Sequence, residues 1–283
     1  MDLSERVAGL LDVRVTGAES YGRAVTGERW KLRLADGGDV FVKARPGAPD
    51  GFFAVEADGL AWLNAAPGGP PRPAVLAWDA EVLVLPWLPA GRPSPPAVHR
   101  LAGGLAALHA AGAPVFGAAR DGWIGAAALD NRPCPTWPDF YGQRRVLPYV
   151  RMLRDSGGIG AAEVAVFERL AARLLELAGP AEPPARIHGD LWSGNVLWAY
   201  GRGWLVDPAA HGGHRETDLA MLTLFGGGWV PALLAAYDEA APLADGWRDR
   251  QRLHQVHPLL VHAVLFPGGG YLDAALDAAR HYR

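Results

Sequence analysis

Four polar residues, His188, Asp190, Asn195 and Asp207, stand at short spacing among apolar and small residues. They belong to Arg186-Ile-His-Gly-Asp-Leu-Trp-Ser-Gly-Asn195, followed closely by Trp204-Leu-Val-Asp207. The first stretch reads as an apolar strand edge running into a tight loop, and the second as a short strand that ends in an acid. Phosphoryl transfer from ATP needs such a set. One carboxylate holds the acceptor hydroxyl in line, while an amide oxygen and a second carboxylate hold the magnesium ions that neutralise the phosphates. On this reading Asp190 is the catalytic base, and Asn195 and Asp207 are the metal ligands. Each residue alone would serve a polar turn equally well. The four together, at this spacing and between two strands, single out the chemistry.

The same chemistry asks for a cation on the phosphates. Val40-Phe-Val-Lys43 is an apolar strand ending in a lysine, and Glu56 lies in the helical stretch Phe52 to Leu63. Phe52, Val55 or Glu56, Gly59 and Leu63 fall on one face of that helix. A carboxylate among apolar neighbours needs a cation, and Lys43 is the available one. Lys43 and Glu56 are therefore expected to pair and to position the nucleotide. Gly17-Ala-Glu-Ser-Tyr-Gly22 between strands offers backbone amides for a phosphate cover, with Ser20 and Gly22 as contacts. It matches neither G-x-G-x-x-G nor the G-x-x-x-x-G-K-[ST] loop. Glu81 to Leu85 runs into Pro86 and Pro89, a hinge between lobes, and the backbone of Leu85 to Trp87 is expected to meet the adenine edge.

These residues imply an order of elements. A short amphipathic helix over 3–11 precedes a meander of strands at 13–15, 21–25, 30–34 and 39–43, punctuated by glycines, with Asp36-Gly-Gly38 as a hairpin turn. The expected division is an N-terminal lobe over 1–86 and a C-terminal lobe over 87–283. Ser94-Pro-Pro96 starts a helix that ends at Gly112, and a further helix is expected over 161–178. Thr217 or Asp218 is a good N-cap for the apolar helix beginning at Leu219. The rest is helical, with breaks at Gly226 to Gly228 and Gly268 to Gly270. His254, His257 and His262 read as packing residues, since no metal-ligand spacing joins them.

Composition narrows the classes further. A chain of 283 residues, 50% hydrophobic and 20% charged, can bury a large core. Its net charge of −3 supplies no Lys/Arg excess for nucleic acid or an anionic membrane. Cys134 is the only cysteine, which excludes an intrachain disulfide and a thiolate metal cluster. Met1 to Arg6 lacks a signal-peptide core, and apolar runs such as Pro258 to Phe266 are too short to span a bilayer. A cytoplasmic enzyme, monomeric by default, is the expectation.

The chain resembles the fructosamine kinase (ketosamine 3-kinase) family, in the aminoglycoside-phosphotransferase-like branch of the protein-kinase fold. The tokens are His188-Gly-Asp-Leu-Trp-Ser-Gly-Asn195, Asp207-Pro-Ala, Gly213-His-Arg-Glu-Thr-Asp-Leu-Ala-Met221 and Leu224-Phe-Gly-Gly227. Upstream, Val40-Phe-Val-Lys43, Phe53-x-x-Glu56-x-x-Gly59-Leu60 and Trp123-Ile-Gly125 extend the likeness over nearly the whole chain. The resemblance implies an α+β, two-lobed kinase fold: a small antiparallel sheet above a larger, mostly helical lobe. It also implies ATP- and magnesium-dependent phosphorylation of the 3-hydroxyl of a ketosamine, free or protein-bound, after which the unstable 3-phosphate sheds its sugar. Trp192 is expected either to stack on the apolar face of the ketose or to brace the loop from the core, and His214 is expected at the substrate site. Gly189 stands where protein kinases carry Arg, and the stretch after Asp207 is too short for an activation segment, so a small acceptor is expected. Kinases of aminoglycosides, choline or homoserine are the alternative, and a non-catalytic nucleotide-binding protein is a third reading.

Overall fold

A computed structural model describes residues 2–282. Helix α1 (Leu3–Leu11) leads into strands β1 (Val15–Ala24), β2 (Gly27–Leu34) and β3 (Asp39–Ala44). Helix α2 (Phe52–Asn64) and strands β4 (Ala77–Trp78) and β5 (Val82–Pro86) complete one five-stranded antiparallel sheet, ordered β1-β2-β3-β5-β4. Strand alternation gives this sheet two apolar faces. Val40, Val42 and Val84 point toward α1, where Val7 is fully buried, whereas Leu83 and Leu85 point toward α2 with Phe53 and Leu60. Each fully buried side chain of this kind contributes roughly 1.5–3 kcal/mol.

The two short strands expected at 13–15 and 21–25 are one strand, β1. Its pairing with β2 shifts register between Ser20 and Arg23, so the glycine stretch is a bulge within an edge strand. The turn lies further on, at Val25 to Gly27.

Beyond the hinge, α3 (Pro95–Ala110) begins after Ser94 and carries prolines at its start. A hairpin, β6 (Gly122–Ile124) and β7 (Ala127–Leu129), precedes α4 (Trp137–Phe140), a π-helical turn (Tyr141–Val146) and α5 (Leu147–Asp155). The single helix expected over 161–178 breaks at Arg173 into α6 (Ala161–Ala172) and α7 (Leu174–Leu177). Three short pieces carry the loops at the centre: β8 (Ala185–Ile187), the β9–β10 hairpin (Val196–Ala199, Arg202–Leu205) and β11 (His211–Gly213). Helices α8 (Arg215–Leu224), α9 (Val230–Ala240), α10 (Trp247–Leu265) and α11 (Tyr271–Arg280) close the chain. Helix α8 starts earlier than expected: its N-cap is His214, so Thr217 and Asp218 lie inside the helix. Among the described residues no helix is long and apolar enough to cross a membrane.

Candidate active site

Lys43 ends the apolar run of β3 and is 4% exposed. Its ammonium lies 2.6 Å from Glu56 Oε1 on α2 and also pairs with Asp207 Oδ1. Burial pulls the Lys43 pKa down, but the Asp207 and Glu56 carboxylates outweigh it and hold the amine above its usual value. The lysine is therefore charged, and it bridges the two lobes. Asp207 sits at φ +56°, a left-handed conformation uncommon for a residue with a side chain. That backbone turn ends the run from β10 and aims the carboxylate into the cleft.

The loop carrying Asp190 hangs from a buried framework. Strand β8 pairs with β11, bringing Ile187 opposite His211. Gly189 follows at φ +81°, and a Cβ there would strike the Ala209 carbonyl, so the arginine of protein kinases has no room. His188 is fully buried; its Nε2 donates to the Val206 carbonyl at 3.0 Å, and its Nδ1 accepts the Asp190 N–H at 3.3 Å. Asp218, 0% exposed on α8, accepts the N–H groups of His188 at 2.7 Å and Gly189 at 2.9 Å. A carboxylate only accepts, so His109 meets Asp218 Oδ2 through a protonated Nε2 at 3.2 Å and accepts the Tyr237 hydroxyl on Nδ1 at 2.8 Å. Helices α3, α8 and α9 thus converge on one loop.

Within the loop, Asn195 Nδ2 donates to Asp190 Oδ2 at 3.1 Å and to the Asp190 carbonyl at 2.9 Å. Burial, and then the neighbouring Asp207 charge, push the Asp190 carboxyl up to about 7. Asp190, Asp207, Lys43 and Glu56 line one cleft between sheet and helices. Thr26, at the β1–β2 turn, and Trp123 to Gly125, on the β6–β7 hairpin, line it too. Sequence reasoning assigned these no role. The turn composition of Val25-Thr-Gly27 was the available signal for Thr26, and for the hairpin the only signal was the family motif Trp123-Ile-Gly125, which carried no position.

Other expected contacts lie elsewhere. Ser20 and Gly22 bond to each other, Gly22 N–H to Ser20 Oγ at 3.2 Å, on the exposed bulge and outside the cleft lining. Leu85 is 3% exposed, in the core under α2. The Trp87 N–H donates to the Asp39 carbonyl at 3.2 Å, so that amide is not free for a base. Alternation along β5 turns the Pro86 carbonyl and Leu88 N–H away from β3, and neither meets a backbone partner among the described residues. The Trp87 ring meets Tyr21 edge-on at 5.0 Å, with the Lys31 ammonium 4.7 Å over it. Trp192 is 39% exposed beside the catalytic loop, its ring lying over Gly194, where a Cβ would collide with it.

His214, the other residue expected at the substrate site, faces inward. It is 3% exposed inside the helical lobe, where its Nδ1 accepts the Glu216 N–H and caps α8, away from the cleft. His214, Glu216 and His254 bring donor atoms within 4.8 Å of one another. Hydrogen bonding argues against a cation there. Arg250 takes both Glu216 oxygens, at 2.9 and 2.6 Å, and the His214 cap bond leaves its Nε2 protonated.

A small antiparallel lobe bearing the Lys43–Glu56 pair, set over a helical lobe bearing Asp190, Asn195 and Asp207, is the architecture of protein-kinase-like phosphotransferases. Aminoglycoside phosphotransferase APH(2″)-Ib with ADP bound shares that fold, with a TM-score of 0.65 over 100% of this chain and 99% of its own, at 13% identity. The model of the fructosamine kinase family matches residues 12–282, and the chain belongs to that family. It is 36% identical over 264 residues to a "probable ketoamine kinase" of Thermus thermophilus, covering 93% of this chain and 95% of the relative. The crystal structure of a "putative fructosamine-3-kinase" from Thermobifida fusca superposes with a TM-score of 0.94 at 47% identity, covering 99% and 98% of the two chains.

Proposed function

We propose that this chain transfers the γ-phosphoryl group of ATP to the 3-hydroxyl of a ketosamine, the adduct of a sugar with an amine. The observation that carries the chemistry is the convergence of Asp190, hydrogen-bonded to Asn195 at 3.1 Å, and Asp207, tied to Lys43, on one cleft. Family membership carries the substrate class. In the reaction the acceptor oxygen attacks the γ-phosphorus, the bond to the β-phosphate bridging oxygen breaks, and Asp190 takes the hydroxyl proton. Lys43, restrained by Glu56, holds the nucleotide phosphates. The reading divides the chain at residue 86, with 1–86 as nucleotide cover and 87–283 as the lobe that holds the acceptor.

The Asp207 carboxylate and Asn195 amide oxygen are hard donors of the kind Mg²⁺ takes. Of the two causes that raise the Asp190 pKa, burial and then the Asp207 charge, the second is one that a cation would compensate. These two residues would hold the ion, which neutralises phosphate oxygens when bound. Trp192, exposed and two residues on from Asp190 in the same loop, would offer the ring face not covered by Gly194 to the ketose.

A coupled assay of ADP release with fructosyl-lysine, ribulosyl-lysine, aminoglycosides, choline and homoserine tests the reading. Turnover with the ketosamines and none with the other alcohols is the expected result. Preference for any of the latter overturns the substrate class, and no turnover with all of them overturns the enzyme.

A further inference from the structure

Kinases that are switched on and off move the helix carrying the ion-pair glutamate, and an activation segment controls that movement. Here only residues 208–214 separate Asp207 from α8, yet α2 is held with Glu56 on Lys43. Something else must hold it.

One stripe of α2, Phe52, Val55 and Gly59, together with the neighbouring Asp58, faces the helical lobe. Gly59 approaches the segment after Asp207 closely, since a Cβ on it would stand 3.3 Å from Ala210 Cβ. The remaining contacts come from the β6–β7 hairpin and the residues leading into it. The Trp123 ring stands 5.6 Å from Phe52, and Arg120 pairs with Asp58. Gly122 lies so near α2 that a Cβ would meet Val55 Cγ1 at 3.2 Å. The hairpin is itself rigidly mounted. Asn131 N–H donates to Asp121 Oδ1 at 2.8 Å, and the Arg145 guanidinium, buried by the π-helical turn, donates to Asn131 Oδ1 at 2.6 Å. The Tyr149 hydroxyl donates to the Ala128 carbonyl at 2.9 Å.

We infer that the β6–β7 hairpin, through Trp123 and Gly122, is the positioning element that locks α2 and thereby keeps Glu56 on Lys43, so that the chain is held ready without a covalent switch. This rests on reading Lys43–Glu56 as the phosphate-holding pair. The consequence for the site is electrostatic. Lys43 is shared between Glu56 and Asp207, and an α2 free to swing would surrender the ammonium wholly to Asp207. That would oppose nucleotide phosphates and cation binding together.

The test uses the full chain and needs no acceptor, so failure of the ketosamine reading leaves it intact. Hydrogen exchange of α2 amides and the dissociation constant for Mg·ATP are measured for Trp123→Ala and Trp123→Phe, each with and without Glu56→Gln. Trp123→Ala is expected to speed α2 exchange and weaken Mg·ATP about tenfold, with α8 exchange unchanged and Trp123→Phe largely restored. In the Glu56→Gln background the further loss of nucleotide affinity should fall below about twofold. Unchanged α2 exchange, or an equal loss in both backgrounds, overturns the inference and leaves Trp123 as a wall of the cleft. If Trp123→Ala does not fold, Gly122→Ala supplies the same reading. It should loosen α2, and Val55→Ala added to it should restore both measurements; no rescue overturns the inference.

Discussion

At the scale of single residues, the site stores a conflict of charge. Asp190 is pushed up to about 7 by burial and by Asp207, well above its ordinary 3.8. Because the folded pKa is raised, the associated stability is present below about pH 4 and is lost as pH rises through about 7. Asp190→Asn is therefore expected to abolish phosphoryl transfer while raising the thermal midpoint at pH 8, with the difference shrinking toward pH 4. Activity and calorimetry on the same preparations check both halves, and an Asn variant less stable at pH 8 would contradict the electrostatic account. Titration of the apo protein by carboxyl NMR offers a second check. The Asp190 midpoint near 7 should fall in Asp207→Asn, since one of the charges opposing its ionisation has gone.

At the scale of elements, α8 acts as a peg for the catalytic loop. Asp218 satisfies two loop amides and His109 at once, all out of solvent. Asp218→Ala leaves two buried N–H groups unpaired, which costs roughly 2–5 kcal/mol. Faster exchange at His188 and Gly189, together with reduced turnover, is the expected signature in hydrogen-exchange and rate measurements. The same helix is tied to α10 by Glu216, whose carboxyl is raised by burial but held at about 2 by His254 and Arg250. A lowered folded pKa means that this stability is present above about 4.5 and lost as pH falls toward 2. Glu216→Gln should lose roughly 3 kcal/mol at pH 7 and flatten the acid limb, read from urea unfolding across pH.

At the scale of the whole molecule, Lys43, proposed to hold the nucleotide phosphates, is also a cross-lobe contact through Asp207, and Arg186 adds another. From β8 it donates to the Trp62 carbonyl at 2.7 Å, its guanidinium 4.5 Å over the Trp62 ring at the end of α2. A ligand that binds only the folded cleft stabilises by mass action, about 2.7 kcal/mol at a hundredfold excess over its dissociation constant. Mg·ATP should thus raise the unfolding midpoint, and Lys43→Met should abolish that rise while lowering the midpoint of the free chain, because the buried Glu56 carboxyl loses its cation. Thermal scans with and without nucleotide decide it. A shift that survives in Lys43→Met would remove the lysine from nucleotide binding.

The loop His188 to Asn195, Asp207, and the Lys43–Glu56 pairing were legible in the chain because each depends on short-range spacing or on a charge that had to be neutralised. The sheet followed from alternation and turn glycines, and the helices from apolar periodicity. What the chain order left open was set by contacts distant in sequence. Asp218 carries a cap signature, yet its carboxylate is spent on loop amides that only the packing of α8 against β8 brings near. His214 sits in a motif beside the site and still turns inward, since the N-terminus of α8 needed an acceptor. Glycines 17 and 22 read as a loop, but pairing with β2 made them a bulge in a continuous strand. The position of Trp123 against α2 follows from how the hairpin is mounted on Arg145 and Tyr149, and spacing along the chain carries no trace of that. Local chemistry singled out the candidate residues; tertiary packing decided which others hold them in place, because a brace is defined by where its neighbours lie in space.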